Sequence, residues 1–454
     1  MDYSCRISEE AWKAIRTALF TPDGRENAGV LFCGEATLLS ERTLLVRDFW
    51  AVPGDKYLTR FSDQLEVAPS FYNDVISRSL KHRLSPIIVH SHPGISDAWY
   101  SAADDRGEMR LLSVMNSLLP SLHPASLVLS RDSAAGRRLV GKKFEPMRKL
   151  GITGACARTI QLASTSKAEE ANPEERFDRQ VRAFGSAGQA SISNLKIAVV
   201  GVGGIGSLVA EQLSRLGVQD VIFVDDDKVE TVNLNRQFGS NTSDIGQPKA
   251  IVSQRQAKGL GASAAKALCD SAIRQAVLME FRDRDVIFAC VDNDRTRALL
   301  NRFAHQYLVP VIDHGTRLDG RKGHISASSG RVTLVGSGMA CLRCSHHLNS
   351  DRIRAESLSK EERVALHREG YIIGIDEPAP AVISLNTVVA GLGVTAALNM
   401  FVGLTGGRQP MNQIYDATNG TVFIAQAVHD PQCDVCSTSG VTGIGDQAIV
   451  SAYE

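Results

Sequence analysis

Leu195-Lys-Ile-Ala-Val-Val200, Gly201-Val-Gly-Gly-Ile-Gly-Ser207 and Leu208-Val-Ala-Glu-Gln-Leu-Ser-Arg-Leu216 follow one another without a break. The first piece is a continuous apolar run, which predicts a central parallel strand buried on both faces. The last is amphipathic and predicts a helix. The glycine-rich turn between them, with Gly201, Gly203, Gly204 and Gly206, lets backbone N–H groups approach phosphates at a helix N-terminus that favours negative charge. The fold class predicted for this half is α/β and Rossmann-like.

Working outward, Val221-Ile-Phe-Val224 reads as the next strand and ends in Asp225-Asp-Asp227. An acidic residue there is placed to accept from a ribose hydroxyl, as in an NAD enzyme. The polar string that follows, Asn233, Asn235, Arg236, Gln237 and then Lys249, is more than NAD binding needs. Two cations after a phosphate loop suit a triphosphate being split, where they neutralise the transferred and leaving phosphates. A third strand, Asp285 to Val291, ends in Asp292-Asn293, and a carboxylate at that position is a natural Mg²⁺ ligand.

Taken together, Arg176-Phe-Asp-Arg179-Gln180, the GVGGIGS loop, DDDKVETVNLNRQ, Gly246-Gln-Pro-Lys249 and Val291-Asp-Asn293 resemble the ubiquitin-activating superfamily, in particular its ThiF/MoeB adenylyltransferases. The resemblance covers most of 174–437. It implies ATP as substrate, with Asp225 at the ribose, Asp227 and Gln237 beside the nucleotide, and Asn233, Arg236 and Lys249 on the phosphates. It places Mg²⁺ at Asp292. It implies that Arg179 reaches a partner subunit's site, hence a homodimer. The implied activity is adenylation of the C-terminal carboxylate of a ubiquitin-like protein.

Cys341-Leu-Arg-Cys344 and Cys433-Asp-Val-Cys436 are two Cys-x-x-Cys knuckles, the donor set of a closed, structural zinc site. No cysteine stands between Cys344 and Cys433, where many relatives in that family carry a nucleophile that takes the acyl group as a thioester. The matching stretch is Tyr371 to Asn386. Three routes stay open for the transfer step: direct attack on the acyl-adenylate, a hydroxyl such as Ser384, or a cysteine from elsewhere such as Cys290.

Pro86-Ile-Ile-Val-His90-Ser-His92-Pro93 is an apolar strand ending in His-x-His. Residues two apart on a strand point the same way, so both imidazoles reach one ion. Asp104 follows, with Ser101 three residues before it, and Glu26 precedes another apolar strand. Two histidines and a carboxylate leave a zinc position open for water, and a Glu that is not a ligand can take that water's proton. These pieces resemble the JAMM/MPN zinc isopeptidases over about 5–150. The resemblance implies zinc on His90, His92 and Asp104, Glu26 as general base, and Ser101 on the oxyanion. The loop before Ser101 is one residue longer than the family spacing, which leaves Asp105 and Asp97 as alternative ligands.

Charged residues are 22% and the net charge is zero, which argues against a nucleic-acid or membrane-surface binder. Apolar runs such as Leu195 to Val202 are strand-sized, too short to span a bilayer. With no basic-then-apolar start, the nine cysteines read as metal ligands and thiols of a reducing cytoplasm. The expected organisation is a JAMM/MPN α/β domain over 1–155, a linker over 156–174, the adenylyltransferase over 175–437 and a mobile tail over 438–454. Such a fusion looks bacterial. One half would liberate the C-terminus of a ubiquitin-like modifier, from a precursor or a conjugate, and the other would activate it. A conjugating enzyme is a further candidate partner. The alternatives are an activator in a sulfur-carrier (thiocarboxylate) pathway and a non-catalytic modifier-binding scaffold.

Overall fold

The computed structural model describes residues 1–162, 174–321, 324–359, 361–363, 365, 380–406 and 409–452. The chain forms two compact units: Met1–Glu169 with Gln306–Leu308 and Thr442–Ile449, and Glu170–His305 with Val309–Val441 and Val450–Glu454.

The first unit runs β1 (Asp2–Ser8), α1 (Glu9–Leu19), β2 (Ala28–Thr37), β3 (Glu41–Ala51), β4 (Tyr57–Arg60), β5 (Leu65–Val67), α2 (Pro69–His82), β6 (Ser85–Ser91) and α3 (Ala102–Leu118), then β7 (Ala125–Leu129), β8 (Ala134–Val140), β9 (Lys143–Pro146), β10 (Lys149–Thr153) and β11 (Arg158–Gln161). Its mixed sheet has the order β11-β10-β1-β3-β2-β6-β7-β8-β9. Alternation along the strands feeds two cores. Leu31, Cys33, Ile87 and Val89 pack with Trp12, Ile15 and Leu19 of α1. Val30, Phe32 and Ile88 pack with Phe71 and Val75 of α2 and Leu112 and Met115 of α3. His90, two residues beyond Ile88, therefore shares the face that α3 covers.

Two expectations change here. The linker expected from 156 instead begins with β11, which pairs antiparallel with β10 and sets Ile160 opposite Leu150. The tail expected to be mobile is held by backbone and side-chain hydrogen bonds. Arg47 donates to Thr442 O at 2.7 Å, Asp446 N to Glu35 O at 2.7 Å and Thr37 N to the Asp446 carboxylate at 2.8 Å. Glycines permit this: a Cβ on Gly34 would run into Gly443 O and lie 2.6 Å from the Ile444 carbonyl carbon.

The second unit runs α4 (Asp178–Ser193), β12 (Lys196–Val200), α5 (Gly206–Leu216), β13 (Asp220–Val224), α6 (Lys249–Gly259), β14 (Lys266–Leu268), α7 (Gln275–Met279), β15 (Val286–Ala289) and α8 (Asp294–Gln306), then β16 (Val311–Arg321), β17 (His324–Val335), α9 (Ser350–Glu356), α10 (Ile383–Val402), β18 (Asn412–Asp416) and β19 (Thr421–Ile424). The sheet order is β14-β13-β12-β15-β16-β17-β18-β19. Its first five strands are parallel and its last three antiparallel. Chain direction reverses its march across the sheet between β12 and β15, the switch point where open α/β sheets bind ligands beyond the strands' C-terminal ends. This is the Rossmann-like α/β fold.

Apolar runs in the sequence read as strand-sized, yet α10 is a 20-residue helix long and apolar enough to cross a bilayer. More than half of its apolar window is buried within this unit, with Leu385, Val389, Val394 and Ala397 inside. It packs on α4, α5, β16 and β17. A helix apolar on all sides is what a core position between a sheet and two helices calls for.

Gly34→Ala should lower the stability of the first unit by about 1–3 kcal/mol through overpacking. In a chain ending at Val441 the same substitution should cost little, because its clashing partner is gone. Thermal melting of the four variants checks this coupling.

Candidate nucleotide and metal sites

β12 ends in the glycine-rich loop. Gly201 takes φ +82° with its Cα against Cys290 O, where a Cβ would lie 2.8 Å away, and a Cβ on Gly206 would overlap Gly201 O. Both positions need glycine. The loop is tied to the end of β13 by Val202 N, which donates to the Asp225 carboxylate at 2.8 Å. The other Asp225 oxygen accepts from Asp227 N at 2.9 Å. Burial raises the Asp225 carboxyl above its ordinary value, against the pull of Lys249 and these amides.

Lys249 is the first residue of α6, and its Nζ donates to the Asp227 carboxylate at 2.7 Å. Asp227 was expected beside the nucleotide; in the chain alone it serves as the counter-ion of Lys249. Asn233 spends its Oδ1 on Glu230 N at 3.0 Å, within its own turn. Arg236 donates to Val232 O at 2.6 Å and to Asn235 Oδ1 at 3.2 Å. Gln237 is 3% exposed and neither end of its amide has a partner among the described residues. A buried orphan amide beside a phosphate loop fits a site whose polar ligand completes it.

Asp292 is exposed just beyond β15, and its loop is clamped by residues that spacing did not single out. Arg297 donates to Val291 O at 2.8 Å and to His314 O at 2.9 Å. Arg352 on α9 donates to Asp292 O at 3.1 Å, and the Glu356 carboxylate accepts from Arg295 N at 2.7 Å. Arg179 lies exposed at the start of α4 with no hydrogen bond or ion pair to the described residues. Of the stretch from Tyr371 to Asn386, residues 371–379 lie outside the described residues. Ser384 is exposed on the first turn of α10. Cys290 is half-buried with its thiol 3.7 Å from His314 Nδ1, and desolvation pushes it far up the scale, which disfavours the thiolate a nucleophile needs.

Cys341, Cys344, Cys433 and Cys436 converge, with Sγ–Sγ distances of 3.7 Å for Cys341–Cys433 and 3.6 Å for Cys344–Cys436. Tetrahedral bonds of about 2.3 Å place sulfurs roughly 3.8 Å apart, so the cage fits zinc. Backbone amides of Cys344 and Val435 donate to Cys341 and Cys433 sulfurs. A hydrogen bond from the Cys436 thiol pulls Cys341 below its ordinary value and pushes Cys436 up. All four corners of the cage are protein sulfurs, the closed arrangement typical of structural zinc sites.

In the first unit, the ligand atoms of His90, His92 and Asp104 lie within 4.8 Å of one another. His90 Nε2 is 3.2 Å from His92 Nε2, and Asp104 stands 3.4 and 3.7 Å from the two rings. Two imidazole nitrogens facing each other across 3.2 Å, with a carboxylate beside them, fit a divalent cation such as zinc. Burial works to raise Asp104, but the His90 hydrogen bond and charge and the bonds from Ser101 hold it well below the carboxylate range. Glu26 is 7% exposed, 3.6 Å from His92 Nε2, and burial pushes it up to about 7. Its backbone is pinned by Phe61 O and Arg60 of the β4–β5 hairpin.

Ser101 was expected at an oxyanion. Its hydroxyl caps α3, accepting from Asp104 N at 3.1 Å, while Ser101 N donates to the Asp104 carboxylate at 2.7 Å. That reciprocal pair aims Asp104. The alternative ligands fall away: Asp105 is paired to Arg137, and Asp97 is exposed and outside the cluster. Arg137 also holds the buried Glu108 one turn along α3, at 2.8 Å, and its guanidinium lies over the rings of Tyr100 and Phe144. It fixes the helix that carries Asp104 from β8, a strand that no motif marks.

Known proteins similar to this chain include the molybdopterin-synthase adenylyltransferase of Escherichia coli (strain K12), 26% identical over 58% of this chain and 95% of that protein. The adenylyltransferase and sulfurtransferase MOCS3-1 of Drosophila pseudoobscura pseudoobscura is 24% identical over 70% of this chain and 67% of its own. Ubiquitin-like modifier-activating enzyme 5 of Rattus norvegicus is 24% identical over 64% and 70%. The family model described as "ThiF family" matches residues 177–435, more than half of the sequence, and the chain belongs to that family.

Proposed function

We propose that the second unit uses ATP to adenylylate the C-terminal carboxylate of a ubiquitin-fold carrier, releasing pyrophosphate. The observation that carries this is the convergence of the Gly201–Gly206 loop, Asp225, Lys249 and Asp292 beyond the C-terminal ends of β12, β13 and β15. The loop amides and the start of α5 would take the phosphates. Lys249, released from Asp227, and Arg236 would bear the charge that grows on the leaving pyrophosphate. Asp225 would orient the ribose with its remaining lone pairs. Asp292 would hold Mg²⁺, which when bound neutralises the phosphates for attack by the carboxylate. The relatives named as a molybdopterin-synthase adenylyltransferase and as a sulfurtransferase favour a sulfur carrier as the protein substrate over a conjugated modifier.

A second activity is inferred for the first unit: metal-assisted hydrolysis of the amide bond after such a C-terminus. It is supported by the His90–His92–Asp104 cluster with Glu26 beside it. A zinc ion held there would acidify its bound water. Glu26, raised toward neutrality by burial, is suited to accept that proton and to pass it to the leaving amine. His92 Nδ1 is buried without a partner among the described residues, so the polar contacts of this ring are all made at Nε2.

Three outcomes are expected. Carrier-dependent ATP–pyrophosphate exchange should be measurable, and Asp292→Ala should lower it at least about 100-fold, the scale of losing one electrostatic stabiliser; exchange insensitive to that change would remove Asp292 from the site. Metal analysis should give two zinc per chain, falling to one in Cys341→Ser or in His90→Ala/His92→Ala. Glu26→Gln should abolish cleavage of a carrier fusion, by about 100-fold or more, with zinc content unchanged.

A further inference from the structure

α10 carries two asparagines among its buried residues, and they are served differently. Asn399, 4% exposed, is fully engaged: its Oδ1 accepts from Thr405 N at 3.0 Å and Thr405 Oγ1 at 2.7 Å, and its Nδ2 donates to Gln409. It ties the end of α10 to the following turn. Asn386, 3% exposed, has a backbone bond to Val382 O, but its side chain makes no hydrogen bond to the described residues. Its amide atoms are not among the sealed, unsatisfied polar atoms of the described residues, so the amide stays open to a polar partner that the chain does not itself provide.

The position of Asn386 indicates that partner. A Cβ built on Gly204 would overlap Asn386 Nδ2, lie 3.5 Å from its Cγ and 3.6 Å from Arg236 Cδ. The amide thus lies directly over the third glycine of the loop, beside the stem of Arg236. The next residue along from Arg236 is Gln237, a buried amide with neither end paired to the described residues. An amide without a hydrogen bond to the described residues and an arginine stem, both against one glycine of the loop, suit an anion with acceptor oxygens.

We propose that Asn386 is a nucleotide-binding residue whose side-chain amide donates to a phosphate oxygen held at the Gly201–Gly206 loop. It rests on the nucleotide reading of this unit and adds a contact from α10. Gly204 is then glycine because a side chain would displace Asn386, and α10 takes part in the site as well as the core.

The test is binding of the non-hydrolysable analogue α,β-methylene-ATP with Mg²⁺, alongside adenosine, to the full chain by calorimetry. Asn386→Ala should weaken the analogue about tenfold or more, the loss of one hydrogen bond to a charged group, and leave adenosine binding and the ligand-free melting temperature unchanged. Asn386→Asp should weaken the analogue further, because it sets a carboxylate against phosphate. Analogue affinity within about twofold of wild type in Asn386→Ala would overturn the proposal, as would an equal loss for adenosine with a lower melting temperature, which marks a packing role. Failure of the wild-type chain to bind the analogue would instead sink the nucleotide reading itself.

Discussion

The hydrogen bond from Val202 N–H to the Asp225 carboxylate, 2.8 Å long, is the contact on which the nucleotide site depends. It joins the loop after β12 to the loop after β13 at the point where the sheet changes direction. Asp225 then passes the constraint on, since its second oxygen holds Asp227 N and Asp227 holds Lys249 Nζ. A chain of charge-assisted bonds thus runs from the glycine loop to the head of α6. It keeps a buried lysine neutralised, and in the proposed reaction a triphosphate would have to replace only Asp227. Arg297 and Arg352 do the same work on the far side of β12, by holding the carbonyls around Asp292.

The first unit solves a related electrostatic problem differently. Two carboxyls and two imidazoles share a few ångströms, and their surroundings drive the carboxyls apart. Asp104 is bonded by Ser101 and His90 and stays charged. Glu26 lacks such donors, and burial makes it reluctant to ionise. Pairs of carboxyls separated in this way commonly divide the work between charge and proton transfer. The division depends on a single turn of α3, because Ser101 fixes one face of that turn and Arg137 the other.

Local sequence was enough wherever one strand and its exit turn carry the information. The buried run before Gly201, the glycines, the acidic strand ends and the His-x-His strand all became the elements they predicted, because period-two and period-3.6 patterns report burial directly. Local sequence failed on α10, whose asparagines and threonines interrupt the apolar run although tertiary packing buries it. It failed on the tail, whose glycines read as mobility when they permit backbone-to-backbone approach.

What the sequence by itself determined was the chemistry on offer: which side chains stand at the ends of β6, β12, β13 and β15, and which cysteines come in knuckles. What only the tertiary structure decided was their pairing. That Asp104 and not Asp105 faces the histidines, that Asp227 neutralises Lys249, and that Asn386 lies over Gly204 are long-range facts. Each depends on a partner brought close by packing. Lys249 is 22 positions from Asp227, the Arg137 that claims Asp105 is 32 positions from it, and Asn386 and Gly204 come from opposite ends of the second unit. Such partners leave no periodic trace in the chain, so spacing could name the ligands without saying which atoms would meet.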